Sequence, residues 1–110
     1  MLNHKKVTVK IDRHHGTFHP EHKDLYYPIN YGYIESLIAE EGEEQDAYVL
    51  GVNKPVETFS GVLIAIIHRI NDVEDKWVVG PYNMHFSISE IEENVNFQEK
   101  YFQHTIEIFD

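Results

Sequence analysis

The chain carries the stretch Tyr27-Pro-Ile-Asn-Tyr-Gly-Tyr-Ile34, which is followed after the spacer 35–40 by Glu41-Gly-Glu-Glu-Gln-Asp46. Pro28 restricts the first part to the start or the edge of a strand, and Gly32 permits close approach of another backbone. The second part gathers carboxylates around one glycine, and we call residues 40–46 the acidic knot. Such a segment is usually a solvated turn between strands, but carboxylate oxygens are also the ligands that hard cations prefer. The stretch therefore predicts an aromatic strand leading into an acidic turn or a metal site.

The composition predicts one globular domain over residues 1–110, with 42% hydrophobic residues and a net charge of −10. This charge disfavours nucleic acid as a partner because it would repel the phosphate backbone. There is no cysteine, which excludes disulfides, thiol catalysis and zinc bound by cysteine. The longest apolar run, residues 62–67, is too short to span a bilayer. We therefore expect a cytoplasmic protein with no membrane partner.

Hydrophobic patterning predicts a mostly β fold with a minor α component. Period-two alternation and short apolar runs predict strands at 6–12, about 31–35, 47–52, 56–59, 62–70, 76–80 and 105–109, with a turn at Ser60-Gly61. Residues 13–24 predict a long loop. Ser87-Ile-Ser-Glu90 is a capping box, so one helix, or two short ones, should extend to about Tyr101. These elements predict a small, mostly antiparallel barrel or sheet with a late helix packed across it.

Two further groups could carry chemistry. Asp72, Glu74 and Asp75 lie at a predicted hairpin tip, where acidic residues are common simply as turn formers. A histidine loop could bind zinc or manganese, although such loops more often remain exposed to solvent or contact phosphate. Its members are His14, His15, His19 and His22.

The aromatic stretch and the acidic knot, at this spacing, resemble the soluble family I inorganic pyrophosphatases over roughly residues 6–79. Members of that family carry Tyr-Pro-x-Asn-Tyr-Gly-aromatic-Ile followed by Asp-Gly-Asp-Pro-x-Asp. The resemblance implies an OB-like five-stranded β-barrel with a C-terminal helix. It also implies hydrolysis of inorganic diphosphate to two phosphates by a water that Mg²⁺ activates, with Mn²⁺ as an alternative metal. Bacterial members form oligomers, so a homo-oligomer is expected.

The resemblance assigns roles residue by residue. It implies metal binding by Glu41, Glu43, Asp46, Asp72 and Asp75. Catalytic roles fall on Glu43, as the base that accepts the proton of water, and on Tyr31. Substrate binding falls on Lys76 and Tyr101, with Arg13 as a further candidate cation.

The chain also departs from the family pattern. Glutamates replace two of the three aspartates of the knot, Phe102 replaces a substrate lysine, and the family's early glutamate aligns with either Lys10 or Asp12. The segment before Tyr27 is too short to hold the hairpin that supplies two substrate cations. Two alternatives therefore remain open: a non-catalytic module that binds metal or phosphate, and a metal-dependent hydrolase of another phosphorylated compound.

Overall fold

The computed structural model describes residues 5–39, 42–70 and 74–109. Eight strands and one helix make up this part of the chain. In chain order they are β1 (Lys6–Arg13), β2 (Thr17–Phe18), β3 (Tyr26–Tyr27), β4 (Asn30–Ile38), β5 (Glu44–Val49), β6 (Thr58–Arg69), β7 (Asp75–Gly80), α1 (Ile88–Glu99) and β8 (His104–Ile108).

Five strands form a closed barrel in the order β1-β4-β5-β7-β6, because β1 also pairs with β6. The β5–β7 pair is parallel, and the other pairs of the barrel are antiparallel. Strand β8 pairs with β6 outside this circuit. The predicted mostly β barrel with one late helix is confirmed.

The two faces of the barrel wall pack into separate cores, because successive side chains of a strand point to opposite faces. One cluster joins residues of β1, β4, β5 and β7 inside the barrel, among them Val9, Ile34 and Val79. The other fills the space between the outer face and α1, where Ile67 and Ile91 are fully buried. The outer face beside α1 also carries the polar residues described below.

Several element boundaries differ from those predicted. The predicted loop 13–24 contains β2, which pairs with β3. The turn predicted at Ser60-Gly61 was wrong, since both residues lie inside the continuous strand β6 and pair with β1. Gly61 is needed there for close packing, since a Cβ would lie 2.4 Å from the carbonyl oxygen of Gly80.

The capping box is confirmed. The Ser87 side chain accepts a hydrogen bond from the backbone amide of Glu90, and the Glu90 side chain accepts one from the backbone amide of Ser87. A single helix, α1, follows, and its residues Ile91, Val95 and Glu99 are buried. The final strand is also confirmed, one residue earlier than predicted at its start. Among the described helices, none is long and apolar enough to cross a membrane.

Candidate functional site

A cavity of about 690 Å³ opens on the outer face of the barrel, between the strand ends and the segment that follows α1. Its wall is formed by side chains from β1, β3, β4, β5, β6 and β7, from the loop between β2 and β3, and from the end of α1 and the residues that follow it. The polar and aromatic residues that matter below are Asp12, Arg13, Tyr31, Asp46, Arg69, Lys76 and Tyr101. Because strands of one barrel supply all of these residues except Tyr101, which follows α1, the fold fixes their relative positions.

Lys76 of the cavity wall is paired with two carboxylates. Its ammonium lies 2.6 Å from Oδ2 of Asp46 and 2.5 Å from Oε1 of Glu74, and its side chain is only 4% exposed. The hydroxyl of Tyr31 donates to the same oxygen of Asp46 at 3.0 Å. Burial raises the pKa of Tyr31 well above its usual value, and the Asp46 charge adds to this effect. Tyr31 is therefore a protonated donor that holds Asp46 in one orientation.

A second carboxylate of the cavity, Asp12, lies close enough to Asp46 for the two charges to interact. Partial burial raises the pKa of Asp12, and repulsion from Asp46 adds to it against the opposing effect of Arg13. The Arg13 guanidinium lies 4.0 Å from Oδ2 of Asp12. The cavity thus combines two interacting carboxylates with a nearby cation.

Behind Lys76, a buried ion pair fixes the position of Arg69. Its Nη2 and Nε donate to Glu99 at 2.7 and 3.1 Å, and Glu99 is fully buried. The hydroxyl of Tyr48 donates to Oε2 of Glu99 at 2.6 Å, so this carboxylate is well satisfied. The guanidinium also stacks on Phe102, 3.6 Å from the ring centroid. Arg69 is therefore held rigidly at the cavity wall.

The cavity brings together five of the residues predicted from the sequence. They are Arg13, Tyr31, Asp46, Lys76 and Tyr101. Tyr101 lies at the mouth, where it is 68% exposed. Two predicted metal ligands, Glu41 and Asp72, lie outside the described residues.

The structure places Asp75 away from the cavity. Adjacent strand residues point to opposite faces, so Asp75 and Lys76 of β7 cannot both face the same cavity. The carboxylate of Asp75 contacts Nδ1 of His68 at 3.1 Å instead. The carboxylate that shares the Lys76 face is Glu74, two residues earlier. The predicted convergence of Asp75 with Asp46 is therefore not found.

Glu43 is also not among the residues that line the cavity. It is exposed just before β5, where its carbonyl oxygen accepts a hydrogen bond from the amide of Ala39 at 2.7 Å. It lies three positions before Asp46, an odd spacing, so in extended backbone it does not share the face that Asp46 presents. The structure therefore offers no contact that supports its predicted role as base.

Sequence reasoning missed Arg69 and assigned no role to Glu74. Both could have been found from alternation. Arg69 follows Ala65 and Ile67 at two-residue intervals, so it lies on the buried face of β6. A buried cation needs a charged or hydrogen-bonding partner. Glu74 stands two residues before Lys76, the spacing that puts two side chains on one face of a strand.

The histidine loop divides between two places. His19 and His22 line the cavity with ring centroids 4.7 Å apart, whereas His14 lies 3.3 Å from the carboxylate of Glu57. Burial and the charges of Arg13 and His22 lower the pKa of His19. Within residues 5–39, 42–70 and 74–109, no three His, Asp or Glu side chains come together as a metal site. The four histidines thus do not gather around one ion.

Two residues of the cavity could take part in holding a magnesium ion that is bound together with a phosphate ligand. Magnesium is usually held by one or two carboxylates, several waters and the phosphates of a substrate. Asp12 and Asp46 are two carboxylates of this kind, and both line the cavity. A site of two carboxylates is consistent with the lack of a three-residue cluster in the described parts of the chain.

No family model matches the sequence, and no curated protein matches it at a significant level. The structure, in contrast, is similar to solved structures of inorganic pyrophosphatases. That from Ehrlichia chaffeensis has a TM-score of 0.72 at 19% identity, covering 96% of this chain and 86% of the other. The Thermus thermophilus structure has a TM-score of 0.67 at 17% identity, and the match covers 96% of this chain and 83% of the other. The Coxiella burnetii structure has a TM-score of 0.65 at 16% identity, and the match covers 98% of this chain and 87% of the other.

These likenesses show that the chain has an inorganic pyrophosphatase-like fold, as the sequence resemblance predicted. At 16–19% identity they show the fold alone. The chemistry has to be argued from the cavity.

Proposed function

We propose that the protein hydrolyses inorganic diphosphate in the cavity between the barrel and the segment after α1, with Mg²⁺ as cofactor and Mn²⁺ as an alternative. The observation that carries this proposal is that Asp12, Asp46, Lys76 and Arg13 line one cavity. Carboxylates for a hard cation and cations for an anionic ligand are the two requirements of phosphoryl transfer. The fold likeness supports the same reaction.

Asp12 and Asp46 would hold the metal, and the metal would lower the pKa of an attacking water. Tyr31 keeps Asp46 oriented by its hydrogen bond. Lys76 and Arg13 would bind the oxygens of diphosphate and stabilise the charge that develops on the leaving phosphate. Tyr101 would add a hydrogen bond at the mouth. Glu41 and Asp72 remain predicted ligands, and Glu43 a predicted base.

A second candidate is a non-catalytic module that binds metal or phosphate. It is favoured by the pairing of Lys76 with Asp46 and Glu74, and of Arg69 with Glu99, at short distances. Cations that are already neutralised attract a phosphate less strongly. Under this alternative the cavity binds diphosphate with Mg²⁺ but does not cleave it.

A third candidate is a hydrolase of a larger phosphorylated compound. The cavity of about 690 Å³ falls in the range of sites that enclose drug-sized ligands, and so exceeds what diphosphate alone needs. His19, His22 and Tyr101 could contact the additional part of such a ligand.

The deciding experiment measures phosphate release from diphosphate with Mg²⁺ and, separately, with Mn²⁺. We expect turnover by the wild type and a loss of at least about 100-fold in Asp46→Asn, which keeps the shape of the side chain but removes its charge. Glu93→Gln, an exposed change on α1, is the matched control. No release by the wild type would overturn the proposal, as would equal rates in Asp46→Asn and wild type.

Two further measurements separate the alternatives. Calorimetric binding of diphosphate with Mg²⁺ but without turnover would favour the non-catalytic module. Cleavage of nucleotides or sugar phosphates in preference to diphosphate would favour the third candidate. Asp75→Asn tests the predicted role of that residue as a metal ligand, since a loss of activity equal to that of Asp46→Asn would support this role.

A further inference from the structure

We propose that the unpaired part of β1, in a gap of the barrel wall, binds an extended acidic segment of a partner protein as an added β-strand. This gap lies between β1 and β4, where the structure contains a groove of about 930 Å³. The groove is separate from the cavity described above, and the two share no lining residue. The proposal is therefore independent of the proposed function.

The groove exists because β1 and β4 pair over only part of their length. Their pairing begins at Lys10, opposite Tyr33, and runs away from the groove to Arg13. Toward the start of β1, the pairing with β4 is not continued within the described residues. On the other side of the groove, the β4–β5 pairing jumps from Ile34 to Ile38, so residues 35–37 are left out of that ladder as well.

The backbone groups that face the groove can be identified from alternation. The carbonyl oxygen of Lys5, just before β1, accepts from the amide of Leu63, and the amide of Ile11 on β1 donates to the carbonyl oxygen of Glu57. The backbone amides and carbonyls of odd-numbered residues therefore point toward β6 and the residues just before it. The amides and carbonyls of Lys6 and Thr8 therefore point into the groove. Neither residue has a strand partner on β4 in the described part of the chain. A peptide strand could accept and donate these bonds.

The charges beside this gap select an acidic occupant. Lys5, Lys6 and Lys10 line the groove and are exposed, although the chain as a whole carries a net charge of −10. Glu35 is the acidic residue of the lining, and its carboxylate lies 3.8 Å from Lys10. A second copy of β1 would bring lysines against lysines, which disfavours pairing between copies. Carboxylates of a different chain would be attracted instead.

The lining also predicts the pattern of the bound segment. Lys6, Thr8 and Lys10 share one face of β1, and Val7 lies on the other face, toward the groove residues Ile34 and Leu37. An added strand continues both faces. Its acidic residues should therefore alternate with apolar ones, with carboxylates beside the lysines and apolar side chains beside Val7.

The test uses the whole protein and a synthetic peptide, acetyl-Thr-Glu-Val-Glu-Val-Glu-Thr-amide. Titration into ¹⁵N-labelled protein should shift the amide signals of Lys6, Thr8 and Leu37, while those of Tyr31 and Lys76 stay in place. The double variant Lys6→Glu/Lys10→Glu should bind at least about tenfold more weakly, because two attractions become repulsions. The single change Lys54→Glu, which adds the same kind of charge away from the groove, is the control.

Two control peptides separate strand addition from simple charge attraction. The same peptide with lysines in place of glutamates should not bind. The peptide with alternate backbone amides methylated keeps its charges but loses donors to β1, and it should bind at least about tenfold more weakly. Equal binding of the methylated peptide would overturn strand addition. Absence of groove shifts with the acidic peptide at millimolar concentration would overturn the docking surface.

Discussion

Lys76 of β7 and Asp46 of β5 form an ion pair on the outer face of the barrel, with 2.6 Å between Nζ and Oδ2. The ammonium is almost fully buried, whereas 35% of the Asp46 side chain is exposed. Tyr31 donates to the same carboxylate oxygen. Asp46 is therefore fixed on its protein side and open toward the cavity, which is the arrangement needed to present an oxygen to a ligand.

Replacing Lys76 by methionine should weaken binding of diphosphate by at least about tenfold, because a cation near the anion is lost. The fold should persist, since methionine fills a similar volume and the carboxylates of Asp46 and Glu74 are about one-third exposed to water. Calorimetric titration with diphosphate and Mg²⁺ measures the change. Lys54→Met serves as the control, and an unchanged affinity in Lys76→Met would remove Lys76 from the substrate site.

Replacing Glu99 by glutamine should lower the free energy of unfolding by about 3 kcal/mol, because the buried Arg69 guanidinium loses its charged partner. Arg69 also approaches Glu74 at 3.5 Å, so the loss is not that of an isolated ion. Urea unfolding followed by circular dichroism measures the effect. Glu93→Gln on the exposed face of the same helix should change stability by less than about 0.5 kcal/mol. A change in Glu99→Gln as small as this would contradict the structural role of the pair.

The sequence predicted the fold better than it predicted the site. Alternation located the barrel strands, and Ser87 with Glu90 located the start of α1, because both signals arise from neighbouring residues. The sequence did not show which face Asp75 presents, because the strand that contains it begins at that very residue. A one-residue uncertainty in a strand exchanges the two faces. The Lys76–Glu74 and Lys76–Asp46 pairs depend on that register.

Arg69 shows a second limit. Its partners Glu99 and Phe102 lie thirty or more residues later, beyond β7 and α1. Alternation places Arg69 on the buried face of β6, but no local pattern indicates which residue pairs with it, so its partner is known only once the helix is packed on the barrel. The groove beside β1 is of the same kind, since it results from where the pairing of β1 with β4 stops.

Gly32→Ala should destabilise the protein by about 3 kcal/mol or prevent folding. A Cβ at this position would lie 1.8 Å from the carbonyl oxygen of Lys10, so β1 and β4 would have to separate. Gly42→Ala is the informative comparison. Its φ of 93° is strained for alanine, but its Cβ would meet nothing within 4 Å, and a cost of about 1 kcal/mol is expected. Equal losses in the two variants, measured by urea unfolding, would show that the close approach of the strands is not limiting.

Stability should fall as the pH rises from about 6 to about 8, because His68 links three strands best when it is protonated. The hydrogen bond that His68 makes to the Glu107 carboxylate raises the pKa of His68 above its usual value of 6.5, and Asp75 adds to the shift against partial burial. The folded state thus binds this proton more tightly than the unfolded state. The stabilising effect of protonated His68 is complete at pH values below the pKa of His68 in the unfolded state. It is lost as the pH rises through the pKa of His68 in the folded state.

The measurement is urea unfolding at pH 6 and pH 8 for the wild type and His68→Gln. The variant should show a smaller difference between the two pH values, because the titrating link among β6, β7 and β8 is gone. Some dependence should remain, because the pKa of His104 is also raised. Burial lowers this pKa, but the hydrogen bonds that His104 makes to the Phe102 carbonyl and the Glu92 carboxylate outweigh that effect. His85→Gln, at an exposed position, should behave as the wild type does. A pH dependence in His68→Gln equal to that of the wild type would show that this link does not contribute.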